Sequence, residues 1–222
     1  MTSPTDATGD AAGTATDTGV DARATAKTDA IGDSAERSRL RRLLLARRQA
    51  LPAVEWARLS AVVSENLQAG FPELATACVA FFWPHRQEAD LRPLIRRWWQ
   101  AAQPGFIAAL PVVTAENSAL AFRRWTPAST MIADRYGIPT PADGDFVTPA
   151  ALLIPVNGFD AAGYRLGYGG GYFDRTLASL QPRPLAIGIG FELLRLSAFP
   201  HAAHDQPLDA VVTEAGISRP LR

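Results

Sequence analysis

The chain has 222 residues, and its 22 Lys and Arg are balanced by 22 Asp and Glu. Zero formal net charge argues against a bulk nucleic-acid binder, and no apolar run reaches the roughly 20 residues a membrane-spanning helix needs. The single cysteine, Cys78, rules out an internal disulfide framework and is expected as a buried, reduced thiol.

Residues 1–36 are mostly Ala, Thr, Asp and Gly, without an aromatic residue. Such a stretch buries too little apolar surface to offset its chain entropy, so a disordered tail is expected there. It lacks the apolar region of a signal peptide. Six aspartates against Arg23 and Lys27 make it a poor transit peptide. Residues 37–222 suit one domain with a substantial core.

Leu40, Leu43, Leu44 and Leu51 recur at helical spacing and predict a first helix over Ser38–Leu51, ending before Pro52. A second helix is expected over Glu55–Ala69, closed by Gly70. Strands are expected at Ala77–Trp83, Phe106–Val113, Leu120–Trp125, Ala151–Val156, Leu185–Phe191 and Ala210–Thr213. Helices are expected at Leu91–Ala102 and Asp174–Leu180, and Trp125–Pro149 reads as a long irregular connection. Buried strands alternating with helices predict a single three-layer α/β domain, Rossmann-like, with a largely parallel central sheet. Ligands of such sheets bind at the carboxyl ends of strands.

Residues 158–174 read GFDAAGYRLGYGGGYFD. Gly163, Gly167, Gly169, Gly170 and Gly171 crowd between a strand and a helix start. Successive backbone N–H groups in such a loop form an anion-binding concavity at a helix N-terminus. No Gly-Lys-Ser/Thr follows, so this is not a Walker A loop. Tyr172 stands where a dinucleotide fingerprint started at Gly167 needs its last glycine. The plain alternative is a tight turn required only for packing.

Other groups carry chemistry less distinctly. Arg37, Arg41 and Arg48 fall within about 40° of one another on the first helix at 100° per residue. They form either a solvated basic face or the wall of an anion site. Glu88 reads as a loop carboxylate, by default exposed. Tyr136 reads as loop packing or a flat ring for stacking. His201, His204, His85 and Cys78 are too few for a closed zinc site without carboxylates. Trp98, Trp99 and Trp125 suit the core or its edge.

Phe159-Asp160, Gly163, Arg165-Leu166-Gly167 and Gly169-x-Gly171-Tyr172-x-Asp174 together resemble the signature of the 5-formyltetrahydrofolate cyclo-ligase (methenyltetrahydrofolate synthetase) family. The likeness runs from about Arg37 to about Gly216. It implies ATP-dependent cyclisation of 5-formyltetrahydrofolate to 5,10-methenyltetrahydrofolate, with release of ADP and phosphate. It further implies ATP contacts at Arg37, Arg41, Arg165, Leu166, Gly167, Tyr168, Gly169, Gly170, Gly171, Tyr172 and Phe173. Substrate contacts are implied at Trp83, Glu88, Tyr136, Tyr168, Gly169, Gly170, Gly171 and Tyr172. Catalytic roles fall to Arg165 and Tyr172, and Mg²⁺ ligation to Asp174 and Asp205. Arg37 replaces the family's usual Lys, Phe173 its second Tyr, and Thr140 a frequent acidic or amide residue. On this reading the protein is a cytoplasmic monomer whose partner is a folate, polyglutamylated or not, with no nucleic-acid or membrane partner. The rival readings are an inactive folate- or nucleotide-binding relative, and an ATP-dependent ligase acting on another small substrate.

Overall fold

The computed structural model describes residues 19–101 and 103–220. The first helix, α1, spans Gly19–Gln49, so it begins well before the expected Ser38. The remainder of the expected tail, residues 1–18, lies outside the described residues. α2 covers Ala53–Gly70 and β1 only Cys78–Ala80. α3 follows at Arg92–Gln100, then β2 at Ile107–Val112 and β3 at Ala121–Trp125. The connection expected to be irregular holds a hairpin, β4 at Met131–Ala133 and β5 at Pro139–Pro141. β6 covers Ala151–Pro155. A second small hairpin follows, β7 at Gly158–Phe159 and β8 at Arg165–Leu166. α4 spans Tyr172–Ser179, β9 Leu185–Ile189, β10 Ala210–Thr213 and β11 Gly216–Ser218.

Seven strands form one sheet in the order β11-β10-β9-β6-β1-β2-β3. The five inner strands run parallel, and the edges β3 and β11 run antiparallel. Each inner strand sends alternate residues to opposite faces. Val79, Ala151, Leu153, Ile187 and Val212 pack with Leu59, Val63 and Leu67 of α2 and Leu94, Ile95 and Trp98 of α3. Ala80, Leu152, Ile154, Ala186 and Val211 pack with Leu40 and Leu44 of α1 and Leu177 of α4. Both faces are thus covered, as an α/β fold requires of parallel strands. Trp98 and Trp125 are core residues, whereas Trp99 is exposed. Cys78 is only half-buried, and burial raises its thiol pKa.

The chain runs outward from β1 to β2 and β3, and outward the other way from β6 to β9 and β10. The switch point therefore lies between β1 and β6, paired at Val79–Ala151 and Ala80–Leu152. A crevice outside the carboxyl ends of these two strands is where such a sheet binds ligands. α1 closes that crevice from above. Leu44 is fully buried and docks where Gly158 has no side chain, since a Cβ there would lie 2.7 Å from Leu44 Cδ1. Leu44→Ala should therefore cost about 2–5 kcal/mol, read as a lowered urea midpoint at unchanged slope.

Candidate active site at the sheet switch point

The loops after β1 and β6 meet under α1 around a cavity of about 870 Å³. Arg37 and Arg41 line it from α1, and Trp83, His85, Arg86 and Glu88 from the loop after β1. Tyr136 and Thr140 contribute from the β4–β5 region, residues 167–174 from the glycine loop and the start of α4, and Pro200–Asp205 from the approach to β10.

The glycine loop does not follow β6 directly, as the sequence led us to expect. The β7–β8 hairpin intervenes and turns Arg165 inward, where it is 7% exposed. Gly169 has φ +101° and Gly171, which caps α4, has φ +63°. Side chains with a Cβ rarely adopt such values, so these two glycines set the loop's path into the α4 N-terminus. The Arg41 guanidinium lies along Gly169, and its Nε donates to the Gly167 carbonyl at 3.0 Å. Burial, then the neighbouring Arg37, push the Arg41 pKa down. Arg37 is already paired with Asp205, which leaves Arg41 the cavity-lining cation of the two without a carboxylate ion pair among the described residues. Arg41→Ala should weaken binding of a polyphosphate anion about tenfold or more, the scale of one charge-assisted hydrogen bond, as read by calorimetry.

Two acid–base pairs flank the loop. Arg165 donates through Nη2 to Asp174 Oδ1 at 2.8 Å and through Nη1 to the Gln206 carbonyl at 2.7 Å. The Gln206 N–H donates to the same Asp174 oxygen at 3.0 Å. Asp174 lines the cavity, and its Oδ2 takes no hydrogen bond among the described residues. Asp205 forms a two-pronged ion pair with Arg37 and accepts the Ala202 N–H at 2.8 Å. Burial opposes its charge, but Arg37 and that N–H hold the Asp205 carboxyl below its ordinary value. The two aspartates expected to share a metal thus differ: one is partly open, and the other is neutralised by the arginine expected to hold phosphate.

At the opposite end, Glu88 is not an exposed loop carboxylate but is 4% exposed. Its Oε1 accepts the Tyr168 hydroxyl at 2.8 Å and its Oε2 the His85 N–H at 3.0 Å. Arg48 Nη2 donates to that same Tyr168 oxygen at 2.8 Å. Burial pushes the Glu88 carboxyl up, opposed chiefly by Arg48. Burial, with Glu88 beside it, likewise pushes the Tyr168 phenol up, so it stays a donor. Tyr136 and Tyr172 close the outer wall with hydroxyls 2.9 Å apart and rings edge to face.

The sequence model of the 5-formyltetrahydrofolate cyclo-ligase family matches residues 33–214. The chain belongs to this family. The 5-formyltetrahydrofolate cyclo-ligase of Escherichia coli (strain K12) is 29% identical over 181 residues, covering 79% of this chain and 98% of that protein. The NMR structure of Aquifex aeolicus 5,10-methenyltetrahydrofolate synthetase superposes with a TM-score of 0.71 at 32% identity, covering 82% of this chain and 92% of that one. A 5,10-methenyltetrahydrofolate synthetase from Mycoplasma pneumoniae shares the fold, with a TM-score of 0.67 at 22% identity over 81% of this chain and 99% of that one.

Set beside these cyclo-ligase relatives, the expected site residues nearly all reach one cavity: Arg37, Arg41, Trp83, Glu88, Tyr136, Arg165, residues 167–174 and Asp205 line it. Leu166 does not; its side chain is fully buried in the core. The basic stripe of α1 is not a solvated face. Arg37 is ion-paired, Arg41 lies on the glycine loop, and Arg48 is 1% exposed. The sequence reading assigns neither Arg48 nor His201 a ligand contact: it places Arg48 only in the basic stripe and weighs His201 only for a zinc site. His201 lines the cavity, stacked on Tyr164 with ring centroids 3.9 Å apart, and its Nε2 lies 2.7 Å from Asp160 Oδ2. Arg48 is visible in the sequence only as one member of the arginine stripe. No group of three or more His, Cys, Asp or Glu that could hold a metal occurs among the described residues.

Proposed function

We propose that this chain catalyses the ATP-dependent cyclisation of 5-formyltetrahydrofolate to 5,10-methenyltetrahydrofolate. The observation that carries the reading is that one short loop, residues 167–171, joins a cationic pocket to a buried carboxylate. Arg41 and the Arg165–Asp174 pair stand on one side, and Tyr168 bonded to Glu88 on the other. A phosphoryl donor and a reduced pterin could thus meet across the loop.

The chemical difficulty is the formyl oxygen on N5, which cannot leave as oxide when N10 attacks its carbon. Transfer of the γ-phosphoryl group to that oxygen makes the leaving group phosphate. The protein's task is then positioning and charge neutralisation. Arg41 and the loop N–H groups hold the phosphates, and Arg165 faces the charge that builds on the group in transfer. Glu88 offers acceptor oxygens to the N–H edge of the pterin, with Trp83 and Tyr136 as flat walls. Tyr172, whose hydroxyl is shared with Tyr136, covers the reacting centre and helps exclude water. Asp174 would hold Mg²⁺ through its carboxylate, and the cation would supply charge neutralisation on the transferred group. Asp205 would help hold the cation only if Arg37 released it.

Mixing the protein with 5-formyltetrahydrofolate should produce the methenyl absorbance band only when ATP is present, with one ADP per product. ATP turnover without that band would favour a ligase for another substrate. Folate binding without turnover would favour a binding relative. We place the enzyme in the cytoplasm as a monomer. No helix among the described residues is long and apolar enough to cross a membrane. Residues 2–32 precede the family match, and their removal should leave kcat/KM within about twofold, as expected for a segment that carries none of the proposed site residues.

A further inference from the structure

Resting on that reading of the folate side, we propose that Arg48 is a positioning residue that clamps a strained turn and thereby presets Glu88 for substrate. Arg86 and Gln87 have φ of +48° and +58°. Two successive residues with a Cβ in the left-handed region persist only where their surroundings hold them, and such strain gathers at functional sites. What holds this turn is the end of α1 and the residues just after it. Arg48 Nε donates to the Arg86 carbonyl at 3.0 Å, and Gln87 Nε2 donates to the Leu51 carbonyl at 3.1 Å. The remaining Arg48 donors reach the Val156 carbonyl at 3.4 Å and Asn157 Oδ1 at 2.7 Å, after β6, and the Tyr168 hydroxyl at 2.8 Å, in the glycine loop. One buried guanidinium therefore ties together the loop after β1, the end of β6 and the glycine loop.

The consequence for Glu88 is directional. An Arg48 N–H already occupies the Tyr168 oxygen, so the Tyr168 proton points to Glu88 Oε1. The turn aims the His85 N–H at Oε2. Each carboxylate oxygen is fixed by one donor and keeps a lone pair for the ligand. Arg48 does not itself line the cavity, so it acts through Glu88 and Tyr168.

The test compares Arg48→Lys, Arg86→Gly and the double variant. Lysine keeps the charge but cannot span four acceptors with one planar fork. Arg48→Lys should weaken 5-formyltetrahydrofolate binding about tenfold while leaving ATP binding within about twofold. Glycine accepts positive φ without strain, and Arg86 itself lines the cavity, so the double variant is read against the Arg86→Gly single variant, in whose background Arg48→Lys should cost little folate affinity. Amide hydrogen exchange at His85 and Glu88 should speed up in Arg48→Lys and slow again in the double variant. That readout needs no ligand, so it tests the clamp even if the wild type fails to bind the folate, which would overturn the function instead. Unchanged exchange and folate affinity in Arg48→Lys, equal loss of both ligands, or an undiminished folate loss in the Arg86→Gly background would each overturn the clamp.

Discussion

Asp174→Asn should lower methenyl product formation on the order of 100- to 1,000-fold, the scale of removing one preorganised charge-stabilising group. The substitution is chosen to spare the fold. Asparagine keeps an oxygen where Arg165 Nη2 and the Gln206 N–H converge. It changes the Oδ2 position from a carboxylate oxygen to an amide, which is a poor magnesium ligand. Asp174→Ala is a less clean experiment. Arg165 has 5% side-chain exposure, and stripping a buried charge of its partner costs about 3–5 kcal/mol. Asp174 is itself 18% exposed, which places the penalty toward the lower end. We therefore expect Asp174→Asn to melt close to wild type and Asp174→Ala to melt several degrees lower, with both nearly inactive. ATP binding measured with and without Mg²⁺ completes the test: the wild type should bind more tightly with the cation, and Asp174→Asn should not. Wild-type-like turnover by Asp174→Asn would remove the carboxylate from the mechanism.

The parallel strands and the glycine loop were legible because their signals are local. Ala151–Val156 and Leu185–Phe191 are short apolar runs, and burial on both faces needs nothing more than such runs. The loop declares itself because only glycine readily reaches the φ values found at positions 169 and 171. The β7–β8 hairpin left no such mark, since Gly158–Phe159 and Arg165–Leu166 are two residues each and too short for any periodicity. The burial of Arg48 and Glu88 was illegible for a different reason. A charged residue is exposed by default, and only the meeting of the loops after β1 and β6 supplies the partners that allow burial. Arg37 shows the reverse case. Its helical phase with Arg41 is readable, but its capture by Asp205, 168 positions later, depends on where the loop before β10 returns. Local pattern specifies which groups are available, and topology decides which of them are paired before any ligand arrives.

Glu88→Gln should be the counterpart on the folate side: a KM for 5-formyltetrahydrofolate raised about 10- to 100-fold, as loss of a charge-assisted acceptor predicts. The KM for ATP should stay close to wild type. The local structure can absorb the change. The amide oxygen can face the His85 N–H that Oε2 now accepts. The amide N–H can donate to the Tyr168 oxygen once the hydroxyl rotates away. Arg48 keeps its bonds to the Arg86 carbonyl and Asn157, so its charge is not stranded. A pH profile separates this role from simple packing. Burial favours the neutral form of Glu88 and raises its carboxyl, with Arg48 the main opposing influence. As pH falls, the carboxylate is therefore lost while an exposed glutamate would still be ionised. The acid limb of kcat/KM for the folate should accordingly lie above the ordinary carboxylate range in the wild type. The glutamine amide of the variant has no proton to gain there, so the variant should be slower and its profile flat across that window. A variant that keeps the wild-type acid limb would assign the limb to another group and leave Glu88 a structural residue of the turn.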